Sequence, residues 1–236
     1  MEISEEWNEI ARERLMDRLA GNDTSYNTVL LPSILNRIKK NKSKFNSILD
    51  FGCGTGEMTY EIAKLDIDTV GVDISENSIN IAADFFKHSK LKFYSNTLSD
   101  LNFESTFDLI VANMSLMDTE DLNTNFGYIT KALKDSGIIL INVIHPCFWP
   151  IYWNYYNDIA FKYLTECKIT KTYKTSKTIF EGFETSHYHR PISSYIKLFS
   201  DFDFKINDMQ ELRNPNDKTW YPRFLYFEIE KRDRPQ

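Results

Sequence analysis

Apolar positions at the beginning of the chain repeat with the period of a helix. From Ile3 to Leu19 they are separated by charged residues, and they predict a helix that ends at Gly21. A second helix is predicted over residues 29–40, with Pro32 in a first turn or at a break. Together these helices form an N-terminal segment, residues 1–45.

Short apolar runs and amphipathic stretches alternate from residue 46 to residue 145. The runs predict strands at 48–50, 69–73, 91–95, 107–112 and 138–144, and the helix before the fifth strand is predicted to stop at 135–137. The last two runs are apolar on both faces, as strands of a parallel sheet covered by helices are. With further strands predicted at 204–212 and 223–230, the pattern indicates an α/β fold with a Rossmann-like, doubly wound seven-stranded sheet.

The alternation is lost between residues 146 and 190. This stretch holds 12 of the 34 aromatic residues and carries a net charge of +2, against −8 for the rest of the chain. Residues 165–185 predict a β-hairpin, and we interpret the stretch as a small aromatic-rich cap insertion over one edge of the sheet. The expected organisation is one domain: N-terminal helices 1–45, core 46–145, cap 146–190 and the end of the core 191–236.

Composition narrows the class of protein. The 236 residues are 42% hydrophobic and carry a net charge of −6, which is typical of a globular protein and argues against a generic nucleic-acid binder. No apolar run approaches the roughly 18 residues needed to span a membrane, and the acidic start is unlike a signal peptide. Three cysteines without a C-x-x-C pair indicate a reduced, cytoplasmic protein. A monomer or a homodimer fits equally well.

The sequence Ile-Leu-Asp-Phe-Gly-Cys-Gly-Thr-Gly at residues 48–56 carries the clearest chemical signal, followed by Val-Gly-Val-Asp at residues 70–73. Glycines after a first strand allow the backbone to approach a ligand closely, and an acid that ends the second strand can accept hydrogen bonds from ribose hydroxyls. Strand, glycine loop, helix, strand and acid occur in this order. The pattern therefore predicts a cofactor that contains a nucleoside, bound across Gly52–Gly56 and Asp73.

The spacing of the loop is G-x-G-x-G rather than the dinucleotide pattern G-x-G-x-x-G, and Glu57 follows it. A carboxylate at this position would repel a pyrophosphate but would tolerate a cofactor with a sulfonium and an ammonium group. D-x-G-x-G-x-G followed by G-V-D-I-S resembles the class I S-adenosylmethionine-dependent methyltransferases. The resemblance covers roughly residues 5–230 and implies S-adenosylmethionine as the cofactor and S-adenosylhomocysteine as its product.

The same resemblance implies which residues bind the cofactor. It places Asp50, Gly52 and Gly54 along the methionine part, Asp73 at the ribose hydroxyls, Ile74 at the adenine, Thr97 and Leu98 at the adenine edge, and Asn113 and Met114 near the amino acid and the methyl group. The family often has an acid at the position of Thr97, so a hydroxyl or backbone group would replace it here.

Three further stretches, residues 111–118, 145–148 and 188–195, resemble the branch of the family that methylates N or O atoms of secondary metabolites. Residues 7–11 and 26–27 resemble helices that cover the cofactor in that branch. These resemblances give five candidate substrate-binding residues: Trp7, Tyr26, Trp149, Tyr188 and Arg190. The aromatic residues of the cap could line a pocket for a planar ring or form the core of the insertion, and Arg190 could bind an anion or attach the insertion to the core.

Two histidines are candidate general bases. His145 ends the fifth strand at the carboxyl edge of the sheet, where ligands bind in open α/β folds, and His189 is the second candidate. The alternative for His145 is a hydrogen bond that holds the following turn. Histidines and cysteines of the cap are metal-ligand types, but without paired spacing no metal is predicted.

We therefore predict an enzyme that transfers a methyl group from S-adenosylmethionine to a nitrogen or oxygen of a small molecule. Two alternatives stay open at the level of sequence: a methyltransferase for RNA or protein, and a cofactor-binding protein without transferase activity. The weakly basic cap argues against nucleic acid. Residues 113–116, Asn-Met-Ser-Leu, also lack the N-P-P-Y type of motif that is usual for exocyclic base or glutamine nitrogens.

Overall fold

The computed structural model describes residues 2–232. Its helices are α1 (Ile3–Leu19), α2 (Leu31–Lys40), α3 (Glu57–Ala63), α4 (Glu76–Phe85), α5 (Leu98–Leu101), α6 (Leu122–Ala132), α7 (Trp149–Tyr152) and α8 (Ile192–Asp201). Its strands are β1 (Ser47–Phe51), β2 (Asp68–Asp73), β3 (Leu91–Ser95), β4 (Phe107–Asn113), β5 (Leu133–Ile144), β6 (Cys167–Lys174), β7 (Ile179–His189), β8 (Phe204–Leu212) and β9 (Phe224–Lys231). Residue 1 and residues 233–236 of the predicted domain lie outside the described residues.

Seven strands form one sheet in the order β3-β2-β1-β4-β5-β9-β8. The first five are parallel, and β9 runs antiparallel to both of its neighbours. Strands β6 and β7 pair separately as an antiparallel hairpin. The predicted Rossmann-like, doubly wound sheet is confirmed, and because its parallel strands all end at the same edge, the loops after β1, β2 and β4 meet there.

Successive residues of the central strands face opposite cores. Ile48 and Leu109 pack into a core with α2 and α3, whereas Leu49 and Ile110 pack into a second core with α6 and α8. This alternation explains why the central strands are apolar at every position, because both faces of the sheet are covered by helices.

Helix α6 ends earlier than the sequence predicts. The expected stop at residues 135–137 is wrong, because the helix ends at Ala132 and β5 already begins at Leu133. Leu133 is fully buried and pairs with Phe107 of β4 before the register shifts. Pairing with a neighbouring strand thus decides this boundary, and the turn-forming residues lie inside the irregular start of the strand.

Helix α1 and the β6–β7 hairpin join to form a lid, which we call the cover. The buried Glu6 carboxylate accepts hydrogen bonds from the backbone N–H of Ser186 at 2.6 Å and from its hydroxyl at 2.8 Å. Farther along α1, Asp17 accepts from the Thr175 hydroxyl at 2.7 Å. Asn8 ties the same helix to the beginning of α4. The cover therefore lies across the carboxyl edge of the sheet.

No helix between residues 2 and 232 is both long enough and apolar enough to cross a bilayer.

Candidate functional site

The glycine loop follows β1 directly and adopts a left-handed backbone. Gly52 has φ +70°, and a Cβ atom there would lie 2.3 Å from the Cβ of Ser115, in the loop after β4. Gly54 has φ +54°, and a Cβ there would approach a terminal nitrogen of Arg14 to 2.7 Å. Only glycine combines this conformation with so close an approach, so the loop leaves its backbone open to a ligand.

Asp73 ends β2 beside this loop. Its Oδ2 accepts a hydrogen bond from the Gly54 N–H at 2.8 Å, and its Oδ1 accepts from the Ser75 N–H at 2.8 Å. Burial raises the pKa of Asp73, and the backbone hydrogen bonds offset part of that rise. A carboxylate oxygen has more than one lone pair, so both oxygens can still accept from ligand hydroxyls.

A large cavity of about 580 Å³ opens at this edge of the sheet, partly beneath α1. Its volume lies within the range of roughly 300–1,000 Å³ that is common for small-molecule sites. Seven of the nine predicted cofactor-binding residues line it: Gly52, Gly54, Asp73, Ile74, Thr97, Leu98 and Met114.

The other two predicted cofactor-binding residues, Asp50 and Asn113, do not line this cavity. The buried Asp50 carboxylate accepts a hydrogen bond from the Thr59 hydroxyl at 2.7 Å, and burial raises its pKa to about 7. The Asn113 side-chain oxygen accepts from the amide of Asn142 at 2.9 Å. The buried Asp50 and the half-buried Asn113 brace the ends of β1 and β4, and their contact with the cofactor stays a prediction.

Glu57, directly after the glycine loop, is paired within the protein. It accepts from Arg18 of α1 at 3.2 Å and from the Thr55 hydroxyl at 2.7 Å. Although burial opposes ionisation, Arg18 and then Arg14 lower the pKa of Glu57. The charge after the glycine loop is thus compensated by the N-terminal helix rather than by a ligand.

A second, smaller cavity of about 90 Å³ lies between α1, α7, the hairpin and the start of β9. Two predicted substrate-binding residues, Trp7 and Trp149, line it, and a third, Tyr188, lines the large cavity instead. Trp149 is stacked on Trp153 with ring centroids 5.4 Å apart. The sequence left open whether the aromatic residues of the cap line a pocket or form the core of the insertion. The same rings do both, since they pack together and line the small cavity.

Tyr26 and Arg190, the remaining predicted substrate-binding residues, line neither cavity. Tyr26 is buried beneath the guanidinium group of Arg18, 3.8 Å from the ring centroid. Arg190 donates to the carbonyl oxygens of Leu116 at 3.2 Å and Thr119 at 2.7 Å. The structure thus gives Arg190 the second role that the sequence allowed, which is to attach the cap to the loop after β4.

Four residues line both cavities and so form the wall between them: Trp7, Arg14, Met114 and Asp118. We call them the shared wall. Met114 directly follows β4 and has φ +59°, an unusual conformation for a residue with a Cβ, and such strain is frequent at functional sites. The guanidinium group of Arg14 lies 5.0 Å from the centroid of the Trp7 ring, and its Nε has no hydrogen-bond partner among the described residues.

Sequence reasoning missed Arg14 and Asp118. Arg14 is seven positions after Trp7 and therefore lies on the same face of α1. This spacing could have identified Arg14 from the sequence. Asp118 follows β4 by five residues, at the same edge as the glycine loop. Burial raises the pKa of Asp118 well above its usual value, and Arg14 lowers it in part. No hydrogen bond to its carboxyl group occurs within residues 2–232.

The two predicted general bases point elsewhere. His145 is buried, its Nδ1 accepts from the Cys147 N–H at 3.2 Å, and its Nε2 lies 2.9 Å from a carboxylate oxygen of Glu211. His189 is also buried, with Nε2 2.9 Å from the carbonyl oxygen of Tyr163. Neither ring lines the large or the small cavity. The contacts of His145 match the alternative, a side chain that holds the turn after β5.

His187, which the sequence grouped only with metal-ligand types, does line the small cavity. Its Nε2 lies 3.2 Å from the hydroxyl of Tyr155. Burial, reinforced by His189, lowers the pKa of His187 to about 3, so the ring is neutral at physiological pH. Within residues 2–232, no cluster of three or more histidine, cysteine or acidic side chains is arranged to hold a metal ion.

Comparison with known proteins agrees with this architecture. The model of a protein family described as a methyltransferase domain matches residues 42–175. The demethylmenaquinone methyltransferase of Lactococcus lactis is 32% identical over 114 residues, which are 45% of each chain. The chain covers only about two fifths of the length of the curated relatives that it matches.

Solved structures share the fold over nearly the whole chain. An S-adenosylmethionine-dependent methyltransferase from Clostridium acetobutylicum matches with a TM-score of 0.63 at 18% identity, over 93% of this chain and 97% of that one. The 1,6-didemethyltoxoflavin-N1-methyltransferase of Burkholderia thailandensis matches with a TM-score of 0.62 at 15% identity, over 95% and 88% of the two chains. The glycine loop, the sheet order and the family match lead to one conclusion: this chain belongs to the methyltransferase domain family.

Proposed function

We propose that this protein transfers the methyl group of S-adenosylmethionine to a nitrogen or oxygen atom of a small molecule. The observation that carries the proposal is the shared wall, because it joins a cavity of cofactor size to a smaller one. The names of two similar proteins, which act on demethylmenaquinone and 1,6-didemethyltoxoflavin, support a small-molecule acceptor. A cavity of about 90 Å³ suits a small group better than a nucleic acid or a protein chain.

The large cavity fits the cofactor that the family uses. The backbone of Gly52 and Gly54 would approach the methionine part, and Asp73 would accept from the ribose hydroxyls. Arg14 lies over Gly54 with an unpartnered Nε, so its guanidinium group is available to the carboxylate of the cofactor. Ile74 is 48% exposed in the absence of a ligand, which fits a residue that packs against a base.

Methyl transfer depends mainly on the correct positioning of the nucleophile relative to the methyl group. S-adenosylmethionine supplies a methyl group on a positively charged sulfur, and a nucleophile displaces that sulfur in line. The cover and the aromatic walls of the small cavity would exclude water and hold the acceptor close to Met114. When the nucleophile arrives as N–H or O–H, Asp118 is placed to take its proton, because it is the only carboxyl group in the shared wall.

We also propose that the chain is a single domain, since β8 and β9 from its end complete the sheet begun by β1. Its three cysteines are free within the described residues, which supports the expected cytoplasmic location. The oligomeric state, a monomer or a homodimer, stays a prediction.

The test begins with binding of S-adenosylhomocysteine, measured by calorimetry, and continues with its release from S-adenosylmethionine in the presence of metabolite fractions. Turnover with a low-molecular-mass fraction supports the proposal, and mass spectrometry of the product identifies the methylated atom. Turnover only with RNA or protein fractions would contradict it. Binding without turnover in every fraction would favour a cofactor-binding protein.

A further inference from the structure

Two cations lie against the same aromatic ring at the small cavity. Lys174 Nζ and the guanidinium carbon of Arg223 are each 4.3 Å from the centroid of the Tyr152 ring, and all three residues line the cavity. Burial, and then the positive charge of Arg223, lower the pKa of Lys174. Like charges this close repel each other, so the arrangement favours an anion near them.

The acids available to these cations are few. Arg223 pairs with Asp217 at 2.6 Å and donates to the Ser25 hydroxyl at 2.6 Å. Lys174 donates to the carbonyl oxygen of Tyr152 at 3.0 Å, and no carboxylate of residues 2–232 lies within ion-pair distance of it. One positive charge at this end of the cavity therefore lacks a partner of opposite sign.

The neighbouring walls offer hydrogen-bond donors that are not used. The indole N–H groups of Trp149 and Trp153 are buried and have no partner in the described part of the chain, although both side chains are 8% exposed and line the cavity. The Nε of Arg223 is also buried without a partner there. Buried donors normally find an acceptor, and a bound ligand can supply it.

The two other acidic residues that line this cavity are either paired with protein groups or have a raised pKa. Asp23 lies 3.6 Å from Arg18 of α1 and accepts from the backbone N–H of Tyr26. Asp118 belongs to the shared wall, and burial raises its pKa, which reduces its charge. Neither opposes a negative group beside Lys174.

From this geometry we infer that the acceptor carries an anionic group, a carboxylate or a phosphate, bound by Lys174, Arg223 and the indole N–H groups of Trp149 and Trp153. The inference rests on the proposed function. Binding of the anionic group at Lys174 would orient the acceptor, because the remainder of the acceptor molecule would then extend toward the shared wall. The aromatic side chains between the two ends favour a planar body.

The test uses benzoate, phenyl phosphate and the neutral benzamide as probes, titrated into the protein saturated with S-adenosylhomocysteine and followed by calorimetry. Benzoate or phenyl phosphate should bind about tenfold or more tightly than benzamide, as expected for hydrogen bonds to a charged group. The stronger of the two identifies the preferred anion. Benzamide binding as tightly as both anions would overturn the inference.

Two variants localise the effect. Lys174→Met should weaken binding of the anion about tenfold, and Trp153→Phe, which removes the N–H but keeps an aromatic ring, should weaken it about threefold to tenfold. Lys171→Met on the same strand is the control, because Lys171 lines neither cavity. Unchanged anion affinity in Lys174→Met would overturn the inference.

The affinity for S-adenosylhomocysteine separates this inference from the proposed function. It should be unchanged in all three variants, which also shows that they are folded. If the wild-type protein binds S-adenosylhomocysteine but shows no preference for the anionic probes, only the anionic acceptor is contradicted. If the wild-type protein does not bind S-adenosylhomocysteine at all, the proposed function is contradicted.

Discussion

Arg18 in α1 donates a hydrogen bond to Glu57 at the beginning of α3 across 3.2 Å, and both side chains are buried. The pair joins the N-terminal helix to the residue that follows the glycine loop. Asp23 lies 3.6 Å from the same guanidinium group. A buried ion pair therefore anchors the C-terminal part of α1, the helix that covers the large cavity.

Removing the negative charge should destabilise the protein. Glu57→Gln leaves Arg18 with Asp23 alone, so we expect the free energy of unfolding to fall by about 3 kcal/mol, the lower end for a broken buried pair. The pKa of Glu57 is lowered by folding, so its contribution is present above about pH 4 and is lost as pH falls through the folded value. Urea unfolding at pH 7 and at pH 3 measures both effects. Glu61→Gln, one turn later in an exposed pair with Lys64, should cost less than about 1 kcal/mol.

Asp73→Asn should weaken S-adenosylhomocysteine binding by roughly 1.5–3 kcal/mol, because a charged acceptor for the ribose hydroxyls is lost. Asparagine keeps one acceptor for the backbone N–H of Gly54 or Ser75, so the loop is disturbed less than by alanine. Calorimetry gives the affinity, and Asp84→Asn on the exposed side of α4 is the control. Equal affinities of wild type and Asp73→Asn would place the ribose elsewhere.

Asp118→Asn tests the proposed proton acceptor. With the acceptor identified, kcat should fall roughly 10²- to 10⁴-fold while the affinity for S-adenosylhomocysteine stays the same. In the wild type the rate should rise with pH through the raised pKa of Asp118, and this rise should be absent from the variant. Glu120→Gln, a neighbouring carboxylate that lines only the large cavity, is the control. A loss smaller than about tenfold would mean that positioning alone carries the reaction.

His145→Ala should lower stability rather than activity. The variant loses the contacts with the Cys147 N–H and Glu211, and we expect the free energy of unfolding to fall by about 2 kcal/mol. The rate per folded molecule should stay within about tenfold of wild type. His88→Ala, before β3 at the opposite edge of the sheet, is the control. A hundredfold slower reaction with normal stability would restore the general-base role that the sequence suggests.

Asp50 should make the ligand-free protein less stable as pH rises. Folding raises the pKa of its carboxyl group to about 7, so the folded state holds a proton that the unfolded state releases above about pH 4. Stability should therefore fall across this window, by about 4 kcal/mol in total at about 1.4 kcal/mol per pH unit. Asp50→Asn keeps an acceptor for Thr59 and should remove this slope in urea unfolding. An identical pH profile of the variant would show that another group causes it.

The sequence alone determined the sheet and the cofactor edge, because local patterns encode them. Strands β3 and β8 have the bounds that the sequence predicts, Leu91–Ser95 and Phe204–Leu212. Gly52 and Gly54 needed no tertiary information either, since their conformation follows from the absence of a Cβ. The parallel pairing of β1 to β5 followed from the alternation of strand and helix, which restricts the possible connections.

Tertiary structure decided which side chains reach the cavities. Asp50 and Asn113 adjoin the loop residues in sequence, yet alternation along a strand turns Asp50 into the core and the half-buried Asn113 toward Asn142. His145 stands at the expected edge, but contacts with Cys147 and Glu211 orient its ring away from the cavities.

The shared wall and the small cavity combine distant parts of the chain. Arg14 and Asp118 are about a hundred residues apart, and Lys174 meets Arg223 only because the hairpin folds back over β9. Such juxtapositions have no local signal, since the packing of the cover on the sheet, rather than spacing along the chain, brings these charges together.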